Sequence, residues 1–511
     1  MATRRLRAFK RWMKAQGIEC SDALGFTDIP EGEGIAVRAL CDLKEGDVVA
    51  RIPKASCLTI RTSGACDVIE AAGFGGYLGL AVALMYERSL GKDSPWAGYL
   101  QLLPYQECLP LLWTLDEMDS LLLGTELHKT VKEDKALICE DWKDSILPLL
   151  DSPPFSLSPD FFSIGQYFAA RSLISSRSFE IDDYHGFGMV PLADLFNHKT
   201  GAEDVHFTSV SSHSDSESDA HFNKNDVYVG AGDNELSTQK SSSDGEVSDI
   251  TLFGKNPCSS DSDCSSISGA QNPVLEMIMV KDVEVRAEVF NTYGSLGNAA
   301  LLHRYAFTEP DNPFDIVNID LELVLQLTSS LFSGRYSRAR LSLWRRLGDC
   351  GYVNQNTEYF EISYDGEPEI ELLELLYIML LPEDAYHKLD LTVSVARNLN
   401  GSIGSILLEE GKFTREKASD VSKDLLLTKD VCNALCSLAD MRESLYGSNS
   451  IEDDIQALDS CCKKERKLYH SLMLRVSERM ILGRLRTYAA VGAQTFRASK
   501  RSSVRKRLKK T

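Results

Sequence analysis

Short strand-like and helical segments alternate along the first 150 residues of the chain. From Gly34, the stretch GIAVRALCDLKEGDVVARIPKASCLTI places β-branched and apolar residues on both sides of a Lys-Glu-Gly-Asp centre. This pattern predicts two strands joined by a turn at Asp42 to Gly46, that is, a β-hairpin. From Tyr77 to about Leu150 apolar residues recur every three or four positions, as in YLGLAVALMYERSL, which predicts helices.

A second mixed region surrounds a segment of very different composition. The flanking stretches PLADLFNH and VLEMIMVKDVEVRAEVFNTYG carry β-branched and apolar residues that favour strands. Between Glu203 and Asp263 there are 13 Asp or Glu residues, three Lys and no Arg, a net charge of −10. Such an acidic, Ser-rich segment cannot bury enough apolar surface to order itself. We therefore predict a disordered insert at about residues 209–271.

The last third of the chain has mainly helical spacing. Stretches such as ELVLQLTSSLFSGRYSRARLSLWRRLG and EIELLELLYIMLLPEDAYHKL predict a separate α-helical domain at residues 312–496. The final stretch KRSSVRKRLKKT contains seven Lys or Arg residues. We interpret residues 497–511 as a basic tail that is either simply solvated or a nuclear-targeting or nucleic-acid-binding patch.

Composition and charge limit the classes of function. The 511 residues include 55 Lys or Arg and 75 Asp or Glu, so the formal net charge is −20. A chain with this charge should repel nucleic acid and anionic membranes and should favour basic partners. No apolar run reaches the ~18 residues that a membrane-spanning helix needs. The 13 Cys residues show neither zinc-ligand nor disulfide spacing, which predicts a cytoplasmic or nuclear location.

Three separated segments carry polar side chains that a core strand does not require. They are SSRSFEI with Ser176 and Arg177, ADLFNH with Asp194, Asn197 and His198, and EVFNTYG with Tyr293 and Gly294. Each segment alone has an ordinary structural explanation, as an ion-pair partner, a turn or a strand end. Their order along the chain is the informative feature.

In this order the segments resemble those of the SET-domain protein-lysine methyltransferases. The glycine-led stretch EGEGIAVRALCDLKEGDVVARIP precedes them, and LLHRYAF follows the Tyr-Gly pair. Within that superfamily the chain is similar to the Rubisco large-subunit and related non-histone, ribosomal-type methyltransferases. The helical stretches SPWAGYLQLLPYQECLPLLW and LLLGTEL match that subclass. The resemblance covers all of the chain except the acidic insert and the basic tail.

The resemblance implies an α+β fold with two domains. A β-rich SET domain would occupy residues 1–311, with a helical insert at about residues 65–165. In the family, the Asn-His segment and the tyrosine segment thread past each other as a pseudoknot. An all-α substrate-binding domain of the Rubisco-methyltransferase type would follow at residues 312–496.

The resemblance also implies a site for S-adenosylmethionine that contains no metal. The cofactor-binding residues that it implies are Glu33, Gly34, Ile35, Arg177, Asn197, His198, Tyr293, Tyr305 and Phe307. Arg177 and the backbone around Gly34 would hold the carboxylate and amino groups of the cofactor. The Asn197 amide would supply a donor and an acceptor together.

The same resemblance assigns the methyl-transfer channel. Tyr293 is the implied catalytic residue, beside Tyr305 and Phe307, and Ser176 and Asp194 would lie near the substrate. Ala306 is a departure from the family, which usually has Gly at this position, and its methyl group would narrow the cofactor pocket.

Methyl transfer from a sulfonium to an amine requires a neutral lysine. A free lysine has a pKa of ~10.4, so its deprotonation at pH 7 costs roughly 4.6 kcal/mol. Burial lowers a lysine pKa by as much as ~3–5 units, and a nearby cation acts in the same direction. An aromatic channel can therefore supply the neutral amine without a dedicated base, and the Tyr293 hydroxyl would orient it.

We therefore expect an S-adenosylmethionine-dependent protein-lysine N-methyltransferase that acts as a monomer on a non-histone protein. The expected substrate is a basic, lysine-bearing protein, with ribosomal proteins first. One alternative is a SET-fold scaffold or cofactor-binding protein with weakened catalysis. Another alternative is a protein-histidine methyltransferase. Nucleic-acid binding through the tail conflicts with the net charge of the chain.

Overall fold

The computed structural model describes residues 3–29, 34–150, 158–210, 273–331, 334–348, 359–395 and 423–508. Nearly all of the predicted acidic insert, 209–271, lies outside these ranges, as do Glu33 and the last three residues of the predicted tail. None of the helices in the described ranges has both the length and the apolar character of a bilayer-crossing helix.

The elements follow one another along the chain as the periodicity broadly predicts. The helices are α1 (Arg4–Ala15), α2 (Cys66–Ala71), α3 (Gly76–Leu90), α4 (Ala97–Leu100), α5 (Leu115–Leu121), α6 (Leu127–Asp141), α7 (Leu147–Leu150), α8 (Pro159–Phe162), α9 (Ile164–Arg177), α10 (Asn298–Tyr305), α11 (Leu321–Leu331), α12 (Gly334–Gly348), α13 (Ile370–Leu380), α14 (Glu383–Val395), α15 (Lys423–Leu426), α16 (Lys429–Ser444), α17 (Ile451–Ser460) and α18 (Arg466–Leu508). The strands are β1 (Glu19–Cys20), β2 (Leu24–Asp28), β3 (Ile35–Ala39), β4 (Val48–Pro53), β5 (Leu58–Thr59), β6 (Ser178–Asp182), β7 (Gly186–Met189), β8 (Val205–Val210), β9 (Val274–Met279), β10 (Val317–Asp320) and β11 (Tyr359–Ile362).

Small antiparallel sheets form the N-terminal part of the chain. Their strand orders are β1-β4-β9-β8, β2-β3 and β5-β7-β6. β8 and β9, which flank the acidic segment, pair from Val205 opposite Met279 to Val210 opposite Val274. The acidic segment therefore connects two neighbouring strands of one sheet.

The hairpin predicted across Asp42 to Gly46 is wrong. Both predicted strands exist, but β3 pairs with β2, and β4 lies between β1 and β9. Gly46 has φ +90°, and its N–H donates to the Met279 carbonyl at 2.8 Å. The turn therefore passes the chain from one sheet to another, because both edges of β4 are taken by β1 and β9, while β3 pairs with β2 and bridges to Glu288.

Buried helices cover these sheets. In α3 every residue from Gly79 to Met85 is buried, as expected for a helix that is apolar on all sides and packed within a core. α3 packs against α9, whose last turn carries Ser176 and Arg177. The packing of α9 against this core therefore fixes the positions of two of the predicted site residues.

The C-terminal helices form a second core around α13 and α16. This part also contains the two-stranded sheet β10-β11, which the helical periodicity did not predict. The backbone of α18 continues to Leu508, through most of the predicted basic tail at 497–511.

A buried polar contact joins the helical insert to the C-terminal domain. Glu126 Oε1 accepts from the Asn318 N–H at 2.8 Å and from Arg442 Nη2 at 2.9 Å. Arg442 Nη1 donates to the Gly124 carbonyl at 2.6 Å. A small apolar cluster with members from α5, α6, α10 and α18 continues this interface; its buried residues are Trp113, Met118, Leu122, Leu127, Val131, Leu302 and Leu474. The C-terminal helix α18 is thereby brought close to the segments that carry the site.

Candidate active site

The segment PLADLFNH begins with a strained, buried turn. Leu192 has φ +79° and is fully buried, and a short 3₁₀ turn at Ala193–Leu195 follows it. A non-glycine residue in this region of φ costs about 1–3 kcal/mol and persists only where the surrounding structure enforces it. The turn directs Asp194 into the core and places Asn197 and His198 beside the tyrosine segment.

The Asn-His and tyrosine segments lie side by side. His198 and Asn291 form a parallel bridge, and the Asn291 N–H donates to the Asn197 carbonyl at 2.9 Å. The Tyr293 N–H donates to His198 Nδ1 at 3.0 Å. Two segments that are about 95 residues apart in sequence therefore meet through their backbones, with the acidic segment between them in the chain.

Four rings form an aromatic cluster at this junction: His198, Tyr293, Tyr305 and Phe307. Tyr293 stacks on Tyr305 with centroids 4.4 Å apart and on His198 with centroids 5.0 Å apart. Phe307 lies 6.4 Å from Tyr305 and 6.2 Å from His198. The structure thus brings together the three residues that the resemblance assigned to the channel.

The environment fixes the protonation of two of these rings. Burial raises the pKa of Tyr293 well above its ordinary value, so the hydroxyl keeps its proton, which it donates to the Phe196 carbonyl at 3.1 Å. Burial lowers the pKa of His198. Because His198 Nδ1 accepts a hydrogen bond, its neutral ring carries the proton on Nε2. Neither ring is therefore arranged as a strong base.

A buried polar cluster lies behind the aromatic cluster and consists of Tyr99, Glu107, Arg177 and Asp194. Arg177 binds Glu107 Oε1 through Nε at 2.8 Å and through Nη2 at 2.7 Å. Its Nη1 donates to the Asp194 carbonyl at 3.3 Å and lies 3.5 Å from Asp194 Oδ2. The Tyr99 hydroxyl donates to Asp194 Oδ2 at 2.8 Å. The charged groups of the cluster are therefore bonded largely to one another.

Burial raises the pKa of Asp194 to about 6, although Arg177 and Tyr99 act in the opposite direction. The Asp194 side chain is 0% exposed, and its Oδ1 has no hydrogen-bond partner in the structure. Burial also disfavours the charge on Arg177, but Glu107 and Asp194 outweigh it and raise the pKa of Arg177. Arg177 is consequently a permanent, half-buried cation.

Three further predicted site residues, Ser176, Arg177 and Asp194, lie at or near the end of α9 and in the turn after Leu192. Ser176 is half-buried in the last turn of α9. Asp194 contacts Tyr99 and Arg177, and its contact with substrate stays a prediction. The nitrogens of Arg177 are directed to Glu107 and Asp194, so its role toward the cofactor carboxylate also stays a prediction.

The open space beside Gly34, at the start of β3, fits the predicted cofactor. Asn197 Nδ2 donates to the Ile35 carbonyl at 3.3 Å and to Glu288 Oε1 at 2.8 Å. Gly34 has φ +113°, and a Cβ built there would meet no atom within 4 Å. Backbone polar groups, the Asn197 side chain and aromatic faces suit a ligand that combines an amino acid, a nucleoside and a cationic sulfur. Within the described residues, no group of His, Cys, Asp or Glu side chains could hold a metal ion.

Several residues of the site were not predicted from the sequence. Tyr99 and Glu107 belong to the helical insert, Glu288 is the first residue of the tyrosine segment EVFNTYG, and Glu309 accepts from the Thr200 N–H at 3.1 Å. Glu107 lies in the stretch PYQECLP, which matched the family but suggested no role. These side chains carry no local pattern, since tertiary packing alone brings them to the site.

Both the sequence relatives and the structural neighbours of this chain include proteins named as methyltransferases. No family model matches the chain. The chain is 26% identical to "Ribosomal lysine N-methyltransferase 3" of Saccharomyces cerevisiae over 325 residues, which are 56% of this chain and 59% of that protein. It is 23% identical to "N-lysine methyltransferase SETD6" of Bos taurus over 465 residues, which are 84% of this chain and 89% of that protein. The chain therefore covers less than two thirds of the yeast protein but most of the bovine one.

Solved structures share the fold over nearly the whole chain. The SET domain of LSMT bound to lysine and AdoHcy has a TM-score of 0.61 at 19% identity and covers 95% of this chain and 91% of its own. Rubisco LSMT bound to AdoMet also has a TM-score of 0.61, at 18% identity, with 97% and 93% coverage. The predicted α+β fold, a SET domain followed by a helical domain, is confirmed, and so is its resemblance to the Rubisco large-subunit type.

Proposed function

We propose that this chain is an S-adenosylmethionine-dependent protein-lysine N-methyltransferase that acts on a non-histone protein. The observation that carries the proposal is the junction of the Asn197-His198 segment with Tyr293, which builds an aromatic cluster next to the Asn197 side chain and the start of β3. Sequence relatives named as lysine methyltransferases and structural neighbours with AdoMet or AdoHcy bound support the same activity and cofactor.

The residues that would hold the cofactor lie on β3 and on the Asn-His segment. Gly34, Ile35, Asn197 and the His198 backbone would bind its polar groups, and Glu33 would extend this set. When bound, S-adenosylmethionine supplies an electrophilic methyl group on a sulfonium. The hydrogen bonds from Asn197 to Ile35 and Glu288 hold the start of β3 next to the Asn-His segment.

The aromatic cluster would prepare the acceptor amine. Tyr293, Tyr305 and Phe307 would exclude water and thus lower the cost of a neutral lysine amine. The Tyr293 hydroxyl keeps its proton, so it would orient the amine as a hydrogen-bonding group and would not remove a proton. The stacked rings would also restrict the amine to an in-line approach, which contributes to the expected acceleration.

The proposed substrate is a basic, lysine-bearing protein, and ribosomal proteins come first. A net charge of −20 favours such partners, and the yeast relative is named as a ribosomal lysine methyltransferase. We propose action as a monomer in the cytoplasm or nucleus. The free state of the described cysteines, which include buried Cys57 and Cys432, agrees with a reducing compartment.

The proposed domain boundaries follow the two large apolar cores. Residues 1–311 would form the SET domain, with the helical insert at about 65–165 and the acidic insert at about 209–271. Residues 312–496 would form the substrate-binding domain, and 497–511 the basic tail. The separation of the core around α3 from the core around α13 supports the division near residue 311.

The test is incorporation of labelled methyl groups from S-adenosylmethionine into a fractionated cell extract. The wild type should label a discrete band, while Tyr293→Phe and Asn197→Ala should lose nearly all incorporation and keep the wild-type circular dichroism. Tyr184→Phe is a matched control, because Tyr184 is 68% exposed in the turn between β6 and β7. Full activity in both site variants would refute the assignment.

The same experiment separates the alternatives. Amino-acid analysis of the labelled band distinguishes methyllysine from methylhistidine. Cofactor binding by calorimetry without any labelled band would favour the scaffold. Absence of both binding and labelling would reject a methyltransferase altogether.

A further inference from the structure

Tyr305, Ala306, Phe307, Thr308 and Glu309, here called the channel segment, supply two rings of the aromatic cluster. The segment leaves the end of α10 through Ala306, which has φ +62° and ψ 29°. The Ala306 N–H donates to the Leu302 carbonyl at 3.2 Å and closes the helix. The left-handed residue between Tyr305 and Phe307 reverses the backbone, so both rings reach the cluster around Tyr293.

The far end of the channel segment is also tied down. The Glu309 N–H donates to Asn298 Oδ1 at 2.7 Å, and Asn298 Nδ2 donates to the Glu309 carbonyl at 2.8 Å. The Glu309 carboxylate accepts from the Thr200 N–H, two residues beyond His198. Both ends of the segment are thus held by the SET domain itself.

The middle of the segment is held from the C-terminal domain. His470, in the second turn of α18, lies with Nδ1 3.1 Å from the Thr308 N–H and 2.9 Å from Thr308 Oγ1. Thr308 is only 8% exposed, so water does not readily replace this acceptor. Arg466, one turn earlier on α18, donates to the Ala306 carbonyl at 3.4 Å.

The charge state of His470 suits this role. Burial, with a contribution from Arg466, lowers the pKa of His470 to about 4. The ring is therefore neutral near pH 7, and its Nδ1 lone pair is available to the Thr308 N–H. The proton then resides on Nε2.

We propose that His470 is a positioning residue for methyl transfer, which acts through the Thr308 backbone to hold Tyr305 and Phe307 against Tyr293. The inference rests on the proposed function and extends it, because it gives the helical domain a part in the reaction site as well as in substrate binding. A displacement of about 1 Å in a reacting site costs up to ~10²-fold in rate, so loss of this anchor should be visible in turnover.

Two substitutions separate the acceptor from the bulk of the side chain. His470→Leu removes the acceptor, whereas His470→Asn places an amide oxygen near the position of Nδ1. Lys467→Gln is the matched control on the same helix, since Lys467 contacts Glu117 and Trp113 and not the channel segment. Initial methylation rates are measured on the labelled extract fraction, with the KM for S-adenosylmethionine. Hydrogen exchange is followed in peptides that cover residues 301–310.

We expect His470→Leu to lower the rate about tenfold with little change in the cofactor KM, and to accelerate exchange at residues 301–310. His470→Asn should recover most of the rate and the protection, and Lys467→Gln should match the wild type. A wild-type rate in His470→Leu would overturn the proposal, and so would an Asn variant as slow as the Leu variant. If the wild type labels no protein, the proposed function fails, and hydrogen exchange at residues 301–310 then tests the contact between His470 and Thr308 separately. Unchanged exchange in His470→Leu would overturn that contact as an anchor of the channel segment. Faster exchange in His470→Leu that His470→Asn reverses would support it.

Discussion

A single glycine at the domain interface offers a quantitative test of the fold. Gly124 lies between α5 and α6 with φ +80°. A Cβ at this position would lie 2.6 Å from Tyr446 Cα and 2.7 Å from the Leu445 carbonyl carbon and oxygen. Real contacts of a Cβ are much longer, and backbone atoms cannot move aside by a change of rotamer. The Gly124→Ala substitution should therefore separate the helical insert from the C-terminal domain.

The expected cost has two parts. A left-handed backbone costs an alanine roughly 1–2 kcal/mol relative to glycine. Overpacking in a well-packed region adds typically about 1–3 kcal/mol. We therefore expect Gly124→Ala to lower the free energy of unfolding by about 3 kcal/mol. Gly73→Ala isolates the first part, because Gly73 has φ +69° and a Cβ there would meet no atom within 4 Å.

Urea unfolding followed by circular dichroism measures both variants against the wild type. Gly73→Ala should lose about 1–2 kcal/mol, and Gly124→Ala should lose at least about 1 kcal/mol more. Equal losses of unfolding free energy in the two variants would show that Gly124 is not in close contact with the backbone of Leu445 and Tyr446. An additional drop in methylation rate in Gly124→Ala alone would connect the interface to activity.

Two further substitutions test the interior of the site. Burial raises the pKa of Asp194 to about 6, above the ordinary value of ~3.9. The contribution of the protonated Asp194 side chain to stability is therefore complete below this ordinary value and is lost as the pH rises through 6. Asp194→Asn lacks that loss, and its melting temperature relative to wild type should rise between about pH 4 and pH 6; a constant difference would contradict the sign. Ala306→Gly should change the unfolding free energy by less than about 1 kcal/mol in urea titration, since relief of the left-handed backbone opposes a lost buried methyl and a more flexible unfolded chain; a larger change in either direction would contradict this balance.

Local patterns predicted the elements of the fold better than their pairing. The apolar run of α3 and the β-branched stretches of β3 and β4 are visible in the sequence because they depend on residues a few positions apart. One of the two partners of β4 is β9, more than 200 residues later, and the competition between such a partner and the following or preceding strand leaves no local pattern in the sequence. The predicted hairpin failed for this reason.

The site was predictable only where the family resemblance supplied order. Asn197, His198 and Tyr293 were recognisable as ordered motifs, and the structure brings them into contact. Glu107 and His470 were not, because a lone glutamate in an insert and a lone histidine in a long helix are ordinary residues in their local sequence. Their roles come from tertiary contacts with Arg177 and with Thr308.

The buried polar cluster places opposing demands on a lysine amine at Tyr293. Burial is the main cause of the raised pKa of Tyr293; Arg177 lowers this pKa, whereas Tyr305, Asp194 and Glu107 raise it. The charges of both carboxylates and of Arg177 therefore act on the Tyr293 hydroxyl. The field of the carboxylates would attract a cationic lysine and would stabilise the charge that develops on its nitrogen, yet it would also hold the proton that must leave first. Arg177, which is paired with both carboxylates, would oppose each effect, and its removal would therefore strengthen both the attraction for the lysine and the retention of its proton.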